Sequence, residues 1–303
     1  MLKAMALVGA TGTGKSALAQ SWAEQTGNCI ITCDSMQVYK GLNIGTAKAT
    51  QAEQTRARHV LLDCVDLPHV YSTADWARAA RDCIASENIA GRTPLICGGT
   101  GFYLRTLLSG IADIPSVDAA IRKHFNERLE TEGHAAMHAI LQKVDATTAA
   151  RLAKGDGQRV LRALTVFEAT GIALSVWQQK ENLLPPIHCT LLWLQKPRIQ
   201  LRDDLAVRFH QMMDMGWLDE VSMLKNSACD GKHPSKRAVG YRQCLDYLAG
   251  TCDKATAIAD GITATRRYAK RQETWFRHQL DADIIGDTAV IGDYLLSHTI
   301  PKH

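Results

Sequence analysis

A glycine-rich run near the start of the chain, Gly9-Ala10-Thr11-Gly12-Thr13-Gly14-Lys15-Ser16, constrains the fold more than any other stretch. It follows the apolar run Met5-Ala6-Leu7-Val8, which reads as a short buried strand. It precedes Ala17-Leu18-Ala19 and Trp22-Ala23, which read as a helix. Strand, G-x-x-x-x-G-K-[ST] and helix together are the phosphate-binding P-loop in its required context. Glycines let successive backbone N–H groups turn inward as an anion nest. The helix N-terminus adds partial positive charge. Lys15 supplies a compact cation for the distal phosphates, and the Ser16 hydroxyl can hold Mg²⁺. Residues 9–16 therefore predict a loop that grips a di- or triphosphate. The motif is silent on what becomes of that phosphate.

The rest of residues 1–111 alternates strand and helix signals, predicting an α/β fold with a parallel, helix-covered sheet of the P-loop NTPase type. Strands are expected at residues 28–33, 59–65 and 94–97. Ser72 with Asp75 three residues on marks a helix start, and Gly91 its end. In such sheets ligands bind beyond the C-terminal strand ends, where residues 9–16, 34–37 and 98–101 converge. Residues 112–186 change character. After a break at Ile114-Pro115-Ser116 come amphipathic helical stretches at 119–132, 135–144, 146–152 and 158–170, with no strand signal. Leu161, Leu164 and Phe167 share one helix face. This reads as an all-helical insertion closed by Pro185-Pro186. Residues 187–303 complete the core with a strand at 189–194. They then form a basic helical region that includes a long helix from Ile258 to about His278, and the last few residues are expected to fray.

Within 303 residues, 46% apolar and 22% charged content is that of an ordinary globular protein. No apolar run reaches the ~20 residues that span a bilayer, and no leader pattern precedes the first strand. Nine cysteines, none in a C-x-x-C pair, predict reduced thiols in a cytoplasmic protein and no zinc site. Charge is placed unevenly. Between Lys232 and Arg277 stand ten Lys/Arg against four acids, in a chain whose net charge is only +4. Such a segment fits a polyanionic partner or a solvated helix face. No sequence feature marks an oligomeric contact, and a monomer is expected.

Asp34 ends a strand beside the P-loop, where a carboxylate can be a general base, orient Mg²⁺ or cap a turn. Gln37 can read a base edge or be a solvated polar residue. Tyr39, Phe102 and Tyr103 can stack on a base or pack in the core.

The P-loop comes with Asp34-Ser35-Met36-Gln37-Val38-Tyr39-Lys40-Gly41, Gly45-Thr46-Ala47-Lys48 and Gly98-Gly99-Thr100-Gly101-Phe102-Tyr103-Leu104. Gln158-Arg159-Val160-Leu161-Arg162-Ala163-Leu164, Gly216-Trp217-Leu218-Asp219-Glu220-Val221 and Ala238-Val239-Gly240-Tyr241-Arg242-Gln243 follow. Lys270-Arg271-Gln272-Glu273-Thr274-Trp275-Phe276-Arg277 is last. This collinear set resembles the bacterial tRNA dimethylallyltransferases over roughly residues 5–280. The resemblance implies transfer of a dimethylallyl group from dimethylallyl diphosphate to the exocyclic amine of the adenine 3′ of a tRNA anticodon, with Mg²⁺. It implies a helical insertion that embraces the anticodon stem-loop. It makes Asp34 the general base, with Lys15, Thr100 and Arg208 holding the reacting groups. Residues 34–37 (Asp34, Ser35, Met36, Gln37), Thr100 and Arg122 would touch tRNA. So would Gln158, Arg159, Val160, Leu161 and Arg162, then Arg237, Ala238, Val239, Gly240, Tyr241 and Arg242. The stretch Lys270, Arg271, Gln272, Glu273, Thr274, Trp275, Phe276 and Arg277 completes the implied contacts.

The chain departs from the family pattern at Ala49, where Pro often stands, and at Gly155-Asp156-Gly157. It also lacks the Cys/His zinc finger of eukaryotic relatives. Three other readings compete: a small-molecule P-loop kinase, a relative that prenylates free adenine nucleotides, and an RNA-binding switch that senses nucleotide. Removing Lys270 or Arg271 is expected to weaken tRNA binding and lower its log–log salt slope by about one per lost phosphate contact. An unchanged slope, read by filter binding across a salt series, takes them out of the interface.

Overall fold

The computed structural model describes residues 1–110, 114–115, 117–179 and 187–298. Ser116, Pro185-Pro186, the expected boundary residues 111, 112 and 186, and the last five residues lie outside them. Among the described residues no helix is long and apolar enough to cross a membrane. The chain divides into two compact units, Met1–Ser109 with Pro185–His303, and Gly110–Leu184.

The first unit opens with β1 (Leu2–Val8), whose last five residues are buried. Gly14 (φ 95°) turns the chain into α1 (Lys15–Thr26), and Gly27 (φ 65°) closes it. β2 (Ile30–Cys33) follows, then a loop and α2 (Gln51–Arg56), which starts in a Thr50/Glu53 capping box. The expected third strand is cut short to β3 (His59–Val60). Leu61 (φ 59°) and Asp63 (φ 48°) adopt left-handed backbone that a strand cannot accommodate. Val65 rejoins only through an isolated bridge to Tyr39. α3 (Thr73–Ile89) begins in the expected Ser72/Asp75 capping box. β4 (Leu95–Gly98) and α4 (Gly101–Ser109) complete this half.

The second unit is all helix among its described residues. α5 (Ala119–Val144) is broken at Gly133 (φ 80°, ψ 169°), so it is the two expected stretches end to end. α6 (Ala146–Arg151) and α7 (Gly157–Thr170) follow. α8 (Leu174–Gln179) is too short to show periodicity in the sequence. Phe125, Met137, Leu141, Val160, Leu161 and Leu164 fill its core. The polar centre is Asp145, 4% exposed. Its carboxylate accepts from the N–H and hydroxyl of Thr148 and from the N–H and hydroxyl of Ser175.

The chain returns to the first unit at β5 (Ile187–Leu194) and runs into α9 (Arg198–Asp214), α10 (Trp217–Lys225) and α11 (Pro234–Arg237). α12 (Tyr241–Leu248) and α13 (Lys254–Gln279, N-capped by Asp253) come next. β6 (Ile284–Gly286) and α14 (Thr288–Ser297) end the described chain. β6, three residues set between aspartates, is too short to leave a strand pattern in the sequence.

The sheet is parallel throughout, in the order β3-β2-β4-β1-β5-β6. Alternate residues of β1 feed opposite cores: Ala4, Ala6 and Val8 on one face, Met5 and Leu7 on the other. Register sets the functional edge. Gly98 lies level with both Val8 and Cys33. The loops after β1, β2 and β4 therefore leave the sheet side by side. A side chain at Gly98 would strike the backbone of Cys33.

Desolvation raises the Asp145 carboxyl and its hydrogen bonds to Thr148 and Ser175 lower it, with a net fall below the usual value of 3.8. A folded pKa below the unfolded one contributes stability above about pH 4 that is lost as pH drops through the folded value. Asp145→Ala strands four donors and is expected to cost about 3 kcal/mol. Amide exchange should show the loss inside Gly110–Leu184; uniform protection there argues against Asp145 as the centre of this unit.

Candidate active site at the C-terminal edge of the sheet

The three loops, with α9 to α13, enclose a cavity of about 360 Å³. One wall is the P-loop. Thr13, 3% exposed, is internal: its N–H and hydroxyl both donate to the Ala10 carbonyl. Gly9 packs tightly against the Leu194 carbonyl and the Thr13 hydroxyl. Leu201 and Leu205 of α9 lie over Gly12 and Ala10. Among the described residues no acceptor takes the N–H of Gly12, Gly14, Lys15 or Ser16. These donors sit at the N-terminus of α1, the geometry of an anion site.

Two cations face the nest. Lys15 donates to the Ala10 carbonyl at 3.2 Å. Burial pulls its ammonium below the ordinary 10.5; Cys97 and Asp34 oppose that fall, and Arg208 adds to it. Burial likewise lowers the Arg208 guanidinium, opposed by Asp34. Among the described residues Arg208 has no ion-pair partner. Two desolvated cations that repel each other beside an open nest are a site for a polyanion. Cys97 lines the cavity as a neutral thiol, pushed by burial up to about 11.

Opposite stands Asp34. Its Oδ1 accepts from the N–H of Met36 (2.8 Å) and of Gln37 (3.3 Å). The turn-cap and base readings are thus compatible, because one oxygen holds the turn and Oδ2 is left for chemistry. The Ser35 N–H donates to Thr100 Oγ1 at 3.1 Å, and the Thr100 N–H donates to the Cys33 carbonyl. Thr100 ties the Asp34 loop to the β4 loop and does not line the cavity. Gln37 Nε2 donates to the carbonyls of Thr46 (3.0 Å) and Ala47 (3.4 Å). Its amide is therefore oriented with the oxygen left as an acceptor. Ala47 holds a positive φ of 48°, the kind of strain that collects at functional loops.

That loop is held by a residue the sequence reading did not single out. Glu220, 5% exposed, accepts from the backbone N–H of Asn43 (2.7 Å), Ile44 (2.8 Å) and Gly45 (3.1 Å) and from the Tyr241 hydroxyl (2.5 Å). Burial and the Glu220 charge push the Tyr241 phenol up, so it stays a donor. Trp217, 1% exposed, packs against Gly45 and Gly240. Among the described residues no acceptor takes its buried indole N–H.

The residues expected at an RNA surface sort into two groups. Arg237, Ala238 and Val239 line the cavity, as do Ser35, Met36 and Arg271. Arg242, Lys270, Thr274 and Arg277 are exposed, with Glu273 partly so; Arg122, Arg159 and Arg162 are exposed on the helical unit, and so is Gln158. Burial and the neighbouring Arg122 charge both lower the Arg162 guanidinium. The other group is corrected: Val160, Leu161 and Phe276 are core, while Tyr241 and Gln272, though buried, line the cavity. Val160, Leu161, Tyr241 and Phe276 are buried, Gly240 packs on Trp217, and Trp275 lies against Gly101. These positions are apolar or ringed, and the helix period turns them inward. Gln272 is also internal. Of the aromatic candidates, Tyr39 and Tyr103 are core, Tyr103 stacking on Trp76. Phe102 is exposed under Arg105. The rings that do line the cavity, Phe209, Trp217, Tyr241 and Tyr268, come from helices whose sequence reads as ordinary amphipathic core.

A parallel sheet with an open nest, two cations outside any ion pair and one facing carboxylate places the chain among enzymes of the P-loop NTPase-like fold. A family model described as IPP transferase matches residues 37–279. The tRNA dimethylallyltransferase of Rhodopseudomonas palustris (strain BisB18) is 40% identical over 280 residues, covering 92% of this chain and 89% of that one. That of Thiobacillus denitrificans (strain ATCC 25259 / T1) is 42% identical over 276 residues, covering 90% and 88%. The full-length tRNA isopentenylpyrophosphate transferase of Bacillus halodurans superposes with a TM-score of 0.69 at 30% identity, covering 98% of this chain and 96% of that one. A eukaryotic dimethylallyltransferase acting on tRNA reaches 0.82 at 26% identity, covering 100% and 81%. The chain belongs to the IPP transferase family.

Because the Lys15 pKa is lowered, the free chain loses that proton below the ordinary lysine range, and a bound anion restores it. Pyrophosphate affinity is expected to fall as pH rises through this window, with proton uptake on binding. Calorimetry in buffers of differing ionisation enthalpy should detect the uptake, and Lys15→Met should abolish it. Equal uptake by both proteins removes Lys15 from the anion site.

Proposed function

We propose that this chain transfers a dimethylallyl group from dimethylallyl diphosphate to the exocyclic amine of the adenine 3′ of the anticodon in tRNA, releasing diphosphate. The observation that carries this reading is the pairing, across one cavity, of Lys15 and Arg208, neither in an ion pair among the described residues, with the second oxygen of Asp34. The donor's diphosphate seats in the nest formed by the N–H groups of Gly12, Gly14, Lys15 and Ser16. Lys15 and Arg208 gather its charge, and that charge offsets their mutual repulsion.

The exocyclic amine of adenine is a poor nucleophile, since its lone pair is delocalised into the ring. Asp34 Oδ2 accepts a proton from it as the nitrogen bonds to C1 of the dimethylallyl group. The C1–O bond breaks, and its electron pair leaves with the diphosphate. Lys15, Arg208 and the nest stabilise the negative charge that develops there. Thr100 and the Met36 and Gln37 N–H groups keep the Asp34 carboxylate aimed. ATP is neither needed nor hydrolysed in this scheme.

The donor set also suits Mg²⁺. Magnesium takes few protein ligands and travels with phosphate oxygens. Among the described residues the Ser16 hydroxyl makes no protein hydrogen bond, and it lines the same cavity as Asp34. Among the described residues no cluster of three or more metal-ligating side chains competes for it. When bound, Mg²⁺ supplies neutralising charge to the diphosphate.

The base must leave its stack to reach the cavity, where the Gln37 amide oxygen faces it as an acceptor. Exposed cations on α13 and α12, and the close Arg122 and Arg162 on the helical unit, meet RNA phosphates. We read the chain as a monomer of the cytoplasm.

The test is transfer of labelled dimethylallyl from its diphosphate to unmodified tRNA and to AMP in parallel, with Mg²⁺ and without ATP. Label is expected on tRNA alone. Asp34→Ala should lower kcat by about 10²–10⁴ while tRNA binding persists. Label on AMP moves the reading to free-nucleotide prenylation. ATP consumption with no label on either acceptor sinks it.

A further inference from the structure

Gln272 lies inside the stretch 270–277 that resemblance assigns to RNA, yet it is only 7% exposed. Both ends of its amide are occupied by backbone of the diphosphate edge. Its Oε1 accepts the N–H of Thr11 at 2.9 Å, across 261 positions of sequence. Its Nε2 donates to the Gly99 carbonyl at 2.8 Å. A donor on one side and an acceptor on the other allow only one orientation of the amide. Thr11 N–H is a P-loop donor that protein already holds, while those of Gly12, Gly14, Lys15 and Ser16 stay open. Gly99 leaves the room: a side chain there would collide with the Gln272 amide.

We propose that Gln272 is a positioning residue for diphosphate. It fixes the mouth of the P-loop nest against the β4 loop and makes no contact with RNA. This rests on reading the nest as the diphosphate site. The chemistry follows from what the nest needs. A flexible loop of small residues aims its N–H groups only if its flanks are held, and preorganisation of that kind raises affinity by removing an ordering cost. α1 holds the loop at its C-terminal end. At its N-terminal end the held N–H is that of Thr11. Gln272 and the adjacent Arg271 both line the cavity, Gln272 buried and Arg271 exposed, and Lys270 is exposed. One turn of α13 therefore divides its work between solvent-facing cations and an inward clamp.

A pH signature separates a clamp from a mere packing residue. A protonated glutamic acid reproduces the amide pattern: its carbonyl accepts from Thr11 N–H and its hydroxyl donates to Gly99. Its carboxylate instead faces the Gly99 carbonyl with no proton to give. The probe is Mg²⁺ with inorganic pyrophosphate, titrated calorimetrically into full-length wild type, Gln272→Met and Gln272→Glu, with tRNA affinity measured on the same preparations. Gln272→Met is expected to weaken pyrophosphate about tenfold at every pH, leaving the tRNA Kd and its salt slope unchanged. Relative to wild type, Gln272→Glu should match that loss at pH 8 and recover most of it near pH 5.5. If Gln272→Met does not fold, Gly99→Ala attacks the same contact from the other side and should show the same selective loss. Wild-type pyrophosphate affinity in Gln272→Met, or a loss confined to tRNA, overturns the inference. A wild-type chain that binds no pyrophosphate overturns the site reading and this inference together.

Discussion

The Glu220 carboxylate is the contact on which the 43–47 side of the cavity depends. A charge this buried is tolerable only when fully hydrogen-bonded, and four donors from two segments surround it. Its demand for donors pulls the 43–45 backbone, α10 and Tyr241 of α12 into one body. Trp217 fills the space between them, and Gly45 and Gly240 are bare where its ring passes. The consequence reaches the reacting edge through hydrogen bonds alone. A fixed 43–47 loop fixes the carbonyls of Thr46 and Ala47, and these fix the amide of Gln37. Glu220 does not line the cavity, yet it decides which atom of Gln37 does.

The opposite wall follows a different logic. Around Glu220 every polar demand is met within the protein. Around Lys15 and Arg208 it is not: two desolvated cations, a row of open N–H groups and a single carboxylate stand together. A folded chain holds such an imbalance only because the sheet beneath is rigid. The level register of Val8, Cys33 and Gly98 brings the loops together before any loop contact forms. The site is thus satisfied on the Glu220 side and unsatisfied at the nest.

Where the sequence was legible, a local rule with a mechanism stood behind it. The P-loop, the Ser72/Asp75 capping box, the Gly133 break and the helical run of the second unit are each written within a few neighbouring residues. Asp34 could be placed at the sheet edge because it ends a strand. Partnership across long separations could not be read. Nothing near Glu220 announces that its carboxylate meets the backbone of residues 43–45, and nothing near Gln272 points to Thr11. The family resemblance implies RNA contacts along Lys270–Arg277, but it cannot tell which faces of a helix turn outward. Gln272 and Phe276 point in, Lys270 and Arg277 out. The third strand was overextended because apolar content at 60–65 mimics a strand, while left-handed backbone at Leu61 and Asp63 is invisible in composition.

The strand order carries a consequence for the ribosome. β1 sits between β4 and β5, but β5 comes late: Val8 pairs with Trp193, about 185 positions on. The whole helical unit is synthesised in between. At about 5–20 residues per second, one edge of the P-loop strand waits on the order of ten to forty seconds for its neighbour. Parallel pairing of such distant segments is also slow in itself. An unpaired, apolar strand edge is a template for misassociation. The nascent chain therefore carries its most vulnerable surface beside its glycine-rich loop, and chaperone demand should concentrate in that interval.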